Sequence, residues 1–195
     1  MEAEYKDKII LALRKKYVEK QLEELPVGEE ILVGASSVPL RRENIFEEKC
    51  SMILPESIRD MSLLEKVIKY RSKNRPQIIK ADQDGDASFT FSIIPSYEGE
   101  DELQMSLKHI RDDMKKVWKQ NVFYDEGKVY ADVGEVVWMD FRSYCMNGSL
   151  YNLMFLFEVK AEMVLGNFHC SFPKYDVWKP LVLKLLTTIQ VDERA

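Results

Sequence analysis

The sequence predicts an α+β domain, an antiparallel β-sheet flanked by helices, and three observations predict it. Helical patterns stand near the start, in the middle and at the end of the chain. Strand-like runs are grouped between them, whereas a parallel doubly wound fold would alternate strand and helix throughout. The later runs are separated by short Gly, Asp or Asn connections, which suit antiparallel neighbours in a meander.

At 195 residues and 46% hydrophobic content, the chain is long enough for one domain with a full core. A net charge of −5 leaves no overall basic field to hold a polyanion, so nucleic acid is not expected as a partner. No apolar run approaches the roughly 20 residues that span a bilayer. The opening MEAEYKDKII places acidic residues where a secretory signal carries basic ones, so the expected location is cytoplasmic, without a membrane partner. Cys50, Cys145 and Cys170 are odd in number, far apart and set in apolar strand-like runs, and are expected to be reduced core thiols.

Residues 2–25 are good helix formers, with apolar positions at Tyr5, Ile9, Leu13 and Tyr17 and then a shifted set at Val18, Leu22 and Leu25. Six basic and six acidic residues balance along it, which disfavours a cationic membrane-surface helix and leaves a packed or partner-binding one. Residues 26–44 mix Pro, Gly and Ser with short apolar scraps, and read as a connector with one short strand at Ile31 to Val33. The domain proper is expected over 45–195. Ile45 to Leu54 reads as a strand closed by Pro55, and Ser62 to Tyr70 as a short helix with Leu63, Leu64, Val67 and Ile68 on one side.

The stretch ADQDGDASFTFSII, Ala81 to Ile94, holds three aspartates around a glycine and raises the question of calcium. An EF-hand loop starting at Asp82 would need glycine at its sixth position and glutamate at its twelfth, where Ala87 and Ile93 stand. Between the strand-like QIIKA and the alternating Phe89, Phe91 and Ile93, the same residues are what a hairpin turn demands. A turn is the reading taken.

Asp101 to Lys119 carries Leu103, Leu107, Ile110, Met114 and Val117 at helical spacing and should lay that stripe on a sheet. The acidic run Tyr97 to Glu102 before it supplies negative charge at the helix start, or alternatively meets a partner's basic patch. VFYDEG, KVYADVGEVVWMDFRSYC, SLYNLMFLFEV and MVLGNFHCSF then read as a run of strands, with Asn147-Gly148 as the strongest turn signal. The sequon at Asn147 to Ser149 reduces to that turn. Trp178, Leu181, Leu185 and Ile189 repeat at helical spacing near the end, with Pro180 placed near the helix start.

This order of pieces resembles the Mog/PsbP superfamily over about residues 45–190. The carriers are the strand CSMILP, the hairpin IIKADQDGDASFTFSII, the helix DELQMSLKHIRDDMKKVWK and the closing GNFHCSFPKYDVWKPLVLKLLTTI. The superfamily includes a Ran-binding nuclear-import factor, the photosystem II extrinsic P subunit and bacterial DcrB-like proteins. The resemblance implies an α/β/α sandwich to which the helix of residues 2–25 is an addition. It also implies work by binding, as assembly subunits or adaptors, rather than one particular activity.

Catalytic spacings such as G-x-G-x-x-G, Walker A, G-x-S-x-G, H-E-x-x-H and C-x-x-C are absent from the sequence. His169 and Cys170 are both zinc-ligand types, but neighbours on a strand point to opposite faces, and no metal or cofactor is expected. His109 reads as a solvent-edge residue of the long helix. In VVWMDFRSYC, alternation sets Trp138, Asp140, Arg142 and Tyr144 on one face, against Val137, Met139, Phe141 and Cys145. The row reads either as a recognition face or as a cross-strand ion pair with aromatics beneath a helix.

The expected function is that of a non-enzymatic protein-binding domain of adaptor, chaperone or assembly-factor type in a bacterial cytoplasm. Its contact is the helix of residues 2–25 or the open sheet face. The alternative is a small-molecule-binding protein or enzyme whose pocket, between sheet and helices, is lined by Trp138, Asp140, Arg142 and Tyr144. A third reading makes residues 1–25 an oligomerisation helix.

Overall fold

The computed structural model describes residues 30–33, 36–46, 49–72, 74–95, 103–146 and 148–192. The helix expected over residues 2–25 and the acidic run of residues 97–102 lie outside the described residues.

The first difference from expectation is at the start. The stretch read as a connector holds the expected short strand, β1 (Glu30–Val33), and also most of β2 (Ser36–Phe46), which was not expected; the two pair antiparallel with Glu30 opposite Pro39. β2 continues against β3 (Cys50–Pro55), so the run read as one strand is two with a tight reversal between them. β2 carries Arg41, Arg42 and Glu43 on an exposed strand, and polar strands of this kind give no apolar alternation to read.

β4 (Arg59–Asp60) leads into α1 (Leu63–Lys69). Ser62 caps that helix by a capping box: its hydroxyl accepts the Glu65 amide hydrogen, and the Glu65 carboxylate accepts that of Ser62 at 2.7 Å. β5 (Ile78–Ala81) and β6 (Ser88–Ile94) form the expected hairpin. Gly85, at φ +69°, takes the left-handed conformation that the turn needs, and the Asp82 carboxylate accepts the Ala87 amide hydrogen at 3.2 Å.

After α2 (Leu103–Val117) come β7 (Val122–Ala131), β8 (Gly134–Cys145), β9 (Gly148–Val159) and β10 (Glu162–Ser171), the expected meander. Gly127 is no separator. It lies within β7 opposite Trp138, and a side chain there would meet the indole at 3.0 Å. A short 3-10 turn (Phe172–Lys174) then feeds α3 (Tyr175–Leu186), and β11 (Gln190–Val191) returns to β3. Pro180 falls in the second turn of α3, and Ile189 lies beyond the helix end but stays buried.

The strands form a seven-stranded sheet in the order β4-β5-β6-β10-β9-β8-β7 and a four-stranded one in the order β1-β2-β3-β11. On one face of the large sheet, Leu107 and Met114 of α2 pack against Val137, Met139, Phe141 and Leu156. Val117, the last member of the expected stripe, is exposed because the helix ends there. On the other face, Phe89, Phe91, Tyr151, Phe155, Phe157 and Phe168 meet α3 and the small sheet's Met52 and Leu54. Each fully buried aromatic or aliphatic side chain contributes about 1.5–3 kcal/mol, so this face holds most of the apolar stabilisation. The layers are helix, sheet, then helix with the small sheet. Lys80, buried in β5, pairs with Glu43 at 2.8 Å and Asp60 at 2.9 Å and ties the two sheets together.

Candidate functional site

Trp138, Asp140, Arg142 and Tyr144 do share the α3 side of β8, and the covering helix divides them. Asp140, only 1% exposed, accepts hydrogen bonds from the Asp125 amide at 2.7 Å and the Tyr151 hydroxyl at 3.0 Å. Lys179 of α3 reaches the same carboxylate at 2.7 Å and Asp125 at 2.8 Å, with its ammonium 5.3 Å from the centre of the Trp138 ring. Burial lowers the proton affinity of Lys179, but its bonds to Asp125 and Asp140 outweigh that and raise its pKa. Burial and the neighbouring Asp140 charge raise that of Tyr151. This half of the row is an ion-pair network under α3, with Asp140 buried and Lys179 and Asp125 partly open to solvent.

The other half is open. α3 begins at Tyr175, so the row runs out from under it. Arg142 donates from Nε to the Ser149 hydroxyl at 2.9 Å and lies between two rings, 4.1 Å from the centre of Phe172 and 5.0 Å from that of Tyr144. Phe172 stacks on Tyr175 at 5.2 Å and leans on Tyr124 at 6.3 Å. Tyr144 is 48% exposed, Tyr124 49% and Tyr175 39%. The result is a surface patch of Tyr124, Arg142, Tyr144, Phe172 and Tyr175 at the end of the sheet.

Phe172, Tyr175 and Tyr124 were not singled out in the sequence. Their signal is the aromatic density of SFPKYDVW and VFYDEG, but only the turn after β10 folds Phe172 onto Arg142, thirty positions away in the chain.

A cavity of about 270 Å³ lies between α2 and the sheet, lined by Gln104, Leu107, Arg111, Glu126 and Lys128 among others. Of the row it touches Trp138 alone, so the four residues do not line one pocket.

Cys50 and Cys170 are buried as expected, whereas Cys145 is exposed because β8 has left the covering layer at that point. Burial pushes the Cys170 thiol up to about 12. His109 is exposed on α2. His169, beside Cys170, is buried, and burial pushes its imidazole down to about 4, with the Lys69 ammonium adding to that effect and Asp86 opposing it. In the unfolded chain the ring titrates near 6.5. Acid therefore protonates the unfolded chain first, and stability present above about pH 6.5 is lost between about 6.5 and 4, by up to about 3 kcal/mol. Urea unfolding near pH 7 and about pH 4.5 should show this slope in the wild type and a flatter one in His169→Gln. Equal slopes would refute it.

The solution structure of cyanobacterial PsbP (CyanoP) from Synechocystis sp. PCC 6803 matches with a TM-score of 0.57. The match covers 85% of this chain and 99% of that one, at 12% sequence identity. The fold is PsbP-like. At that identity the likeness is one of fold alone. PA94 of Pseudomonas aeruginosa, a protein of unknown function, matches with a TM-score of 0.46 at 12% identity, over 76% of this chain and 94% of that one. LpqN of Mycobacterium tuberculosis, involved in cell envelope biogenesis, matches with a TM-score of 0.46 at 6% identity, over 82% and 94%. No protein-family model and no curated protein matches the sequence. The PsbP-like match extends over more of the chain than the residues 45–190 that carry the resemblance in sequence. Among the described residues no helix is long and apolar enough to cross a membrane.

Proposed function

We propose that this PsbP-like domain is a non-enzymatic protein-binding module of adaptor, chaperone or assembly-factor type, and that the patch around Arg142 and Tyr144 is its contact. The observation that carries this is composition at an open surface. Tyr and Arg are the residue types that dominate interface hot spots, and here a guanidinium is held between two rings. Such an arginine is already ordered before a partner arrives, which lowers the entropy cost of binding. Trp138 and Asp140 serve the patch from beneath, by anchoring α3 and with it Tyr175. The bacterial cytoplasm is proposed as its place, supported by the three cysteines, which stand unpaired and suit a reducing compartment.

The test is capture of partners from cells of the source by the wild type and by a variant carrying Arg142→Ala and Tyr144→Ala. A partner held by the wild type should be lost by about tenfold or more in the variant, since two hot-spot truncations cost at least about 2 kcal/mol. Both side chains are partly solvated, so the urea midpoint should barely move. The same partners at the same yield in both proteins would sink the proposal.

A further inference from the structure

The helix α1 turns its apolar side outward. Leu63, Leu64, Val67 and Ile68 are 75%, 70%, 57% and 62% exposed, and no residue of the helix is buried. The expected one-sided pattern is present, but it faces away from the domain. What fastens the helix is polar along its length, through the Ser62 capping box, the Arg59 pair with Glu65 at 2.6 Å, and Lys69 donating to the Gly85 carbonyl and the Ser88 hydroxyl, while Met61 and Tyr70 at its two ends pack with Ile79 and Ala81. A helix of 7 residues is too short to persist on its own in water. Four adjacent aliphatic side chains left in water forgo about 1.5–3 kcal/mol each. A contiguous patch of this kind marks a contact.

The chain itself supplies a cover of suitable position, length and charge. Residues 1–29 precede Glu30, which pairs with Pro39, and the Pro39 carbonyl accepts the Glu56 amide hydrogen at 3.0 Å. Arg41 of the same strand donates to the Ile58 carbonyl at 3.3 Å. The chain thus enters β1 about two strand spacings, roughly 10 Å, from the Glu56 to Ile58 loop, which leads through β4 into α1. Residues 26–29 can span up to about 14 Å and a helix of residues 2–25 would run about 36 Å, so α1 is within reach. Val18, Leu22 and Leu25 are the apolar positions nearest the junction, and among them Glu19, Glu23 and Glu24 outweigh Lys20. Around α1, Arg59, Lys66, Lys69 and Arg71 outweigh Asp60 and Glu65, so the net charges are opposite.

We infer that residues 2–25 lay their apolar stripe on the Leu63, Leu64, Val67 and Ile68 face of α1 within the same chain. This contact is separate from the aromatic patch, and either proposal stands without the other. Amide hydrogen exchange in the full chain tests it, comparing the wild type with a variant carrying Val18→Glu and Leu22→Glu. The amides of α1 should exchange at least about tenfold faster in the variant while the large sheet is unchanged. A second measurement uses Leu22→Cys with Val67→Cys in a Cys145→Ser background, in which oxidation should give a disulfide within one chain. Equal exchange of α1 in the two proteins would overturn the inference, because the face would then be free or kept for another protein. A disulfide that forms only between two chains would overturn it in favour of a second copy as the occupant.

Discussion

Replacing Asp140 with alanine is expected to destabilise the domain by about 3 kcal/mol, among the largest effects of any polar substitution here. The carboxylate is buried and accepts from the Asp125 amide, the Tyr151 hydroxyl and Lys179. Its removal leaves the Tyr151 hydroxyl without its acceptor in an apolar layer and leaves Lys179 with Asp125 as its remaining carboxylate. Orphaned buried donors cost about 1–3 kcal/mol each, and the partly solvated Lys179 adds less because water can reach it. Urea unfolding measures the loss. A companion variant, Asp140→Ala with Tyr151→Phe, removes the orphaned hydroxyl together with its acceptor and should recover part of the loss, because no buried donor is then left without a partner on Tyr151. A loss below about 1 kcal/mol for Asp140→Ala would show that the network is not structural. The row would then have to be read as a functional one held at some cost.

Gly166→Ala is expected to cost about 3 kcal/mol or more, although it adds a single methyl group to a strand. Gly166 stands in β10 between Phe91 of β6 and Phe155 of β9. A Cβ at Gly166 would come within 2.2 Å of the Phe155 ring, which lies against the glycine and meets Phe91 edge-on at 5.9 Å. The ring cannot swing aside, because Phe157 stacks along the same face at 6.4 Å and the layer above is filled by α3 and the small sheet. The demand is for space and not for backbone freedom, since Gly166 does not take a positive φ. Phe155→Leu removes the ring atoms concerned and costs about 1–2 kcal/mol by itself through the space it leaves. In the double variant the two losses should fail to add by about 1 kcal/mol or more, measured by urea unfolding. Simple additivity would mean that the ring moves freely and that the packing at this point is loose.

These two sites show where sequence and tertiary structure part. The alternation of Phe89, Phe91 and Ile93, the helical stripe from Leu103 to Met114 and the short polar turns were enough to give an antiparallel sheet with helices against it. They rest on local periodicity, which any single segment carries in its own residues. Four side chains on one face of β8 were legible for the same reason. Which of them would be sealed was not. Asp140 and Arg142 are two residues apart on one strand, and α3, more than thirty positions downstream, covers one and leaves the other at a surface.

β1 falls on the short strand expected at Ile31 to Val33, but β2 gives little signal, because Ser, Pro, Arg, Glu and Asn outnumber its apolar residues. The strand character of β2 comes from pairing with β1 on one side and β3 on the other rather than from propensity. Orientation is the last thing that periodicity withholds. The pattern of Leu63, Leu64, Val67 and Ile68 specifies a helix with one apolar side, but the direction of that side is set by Arg59, Lys69 and the hairpin that holds them. By itself the sequence determined the elements and the faces they carry, because those depend on neighbours three or four positions away. Only the tertiary structure decided which faces meet, which carboxylate of the row is buried and which aromatic residues gather around Arg142, because those depend on residues brought together from distant parts of the chain.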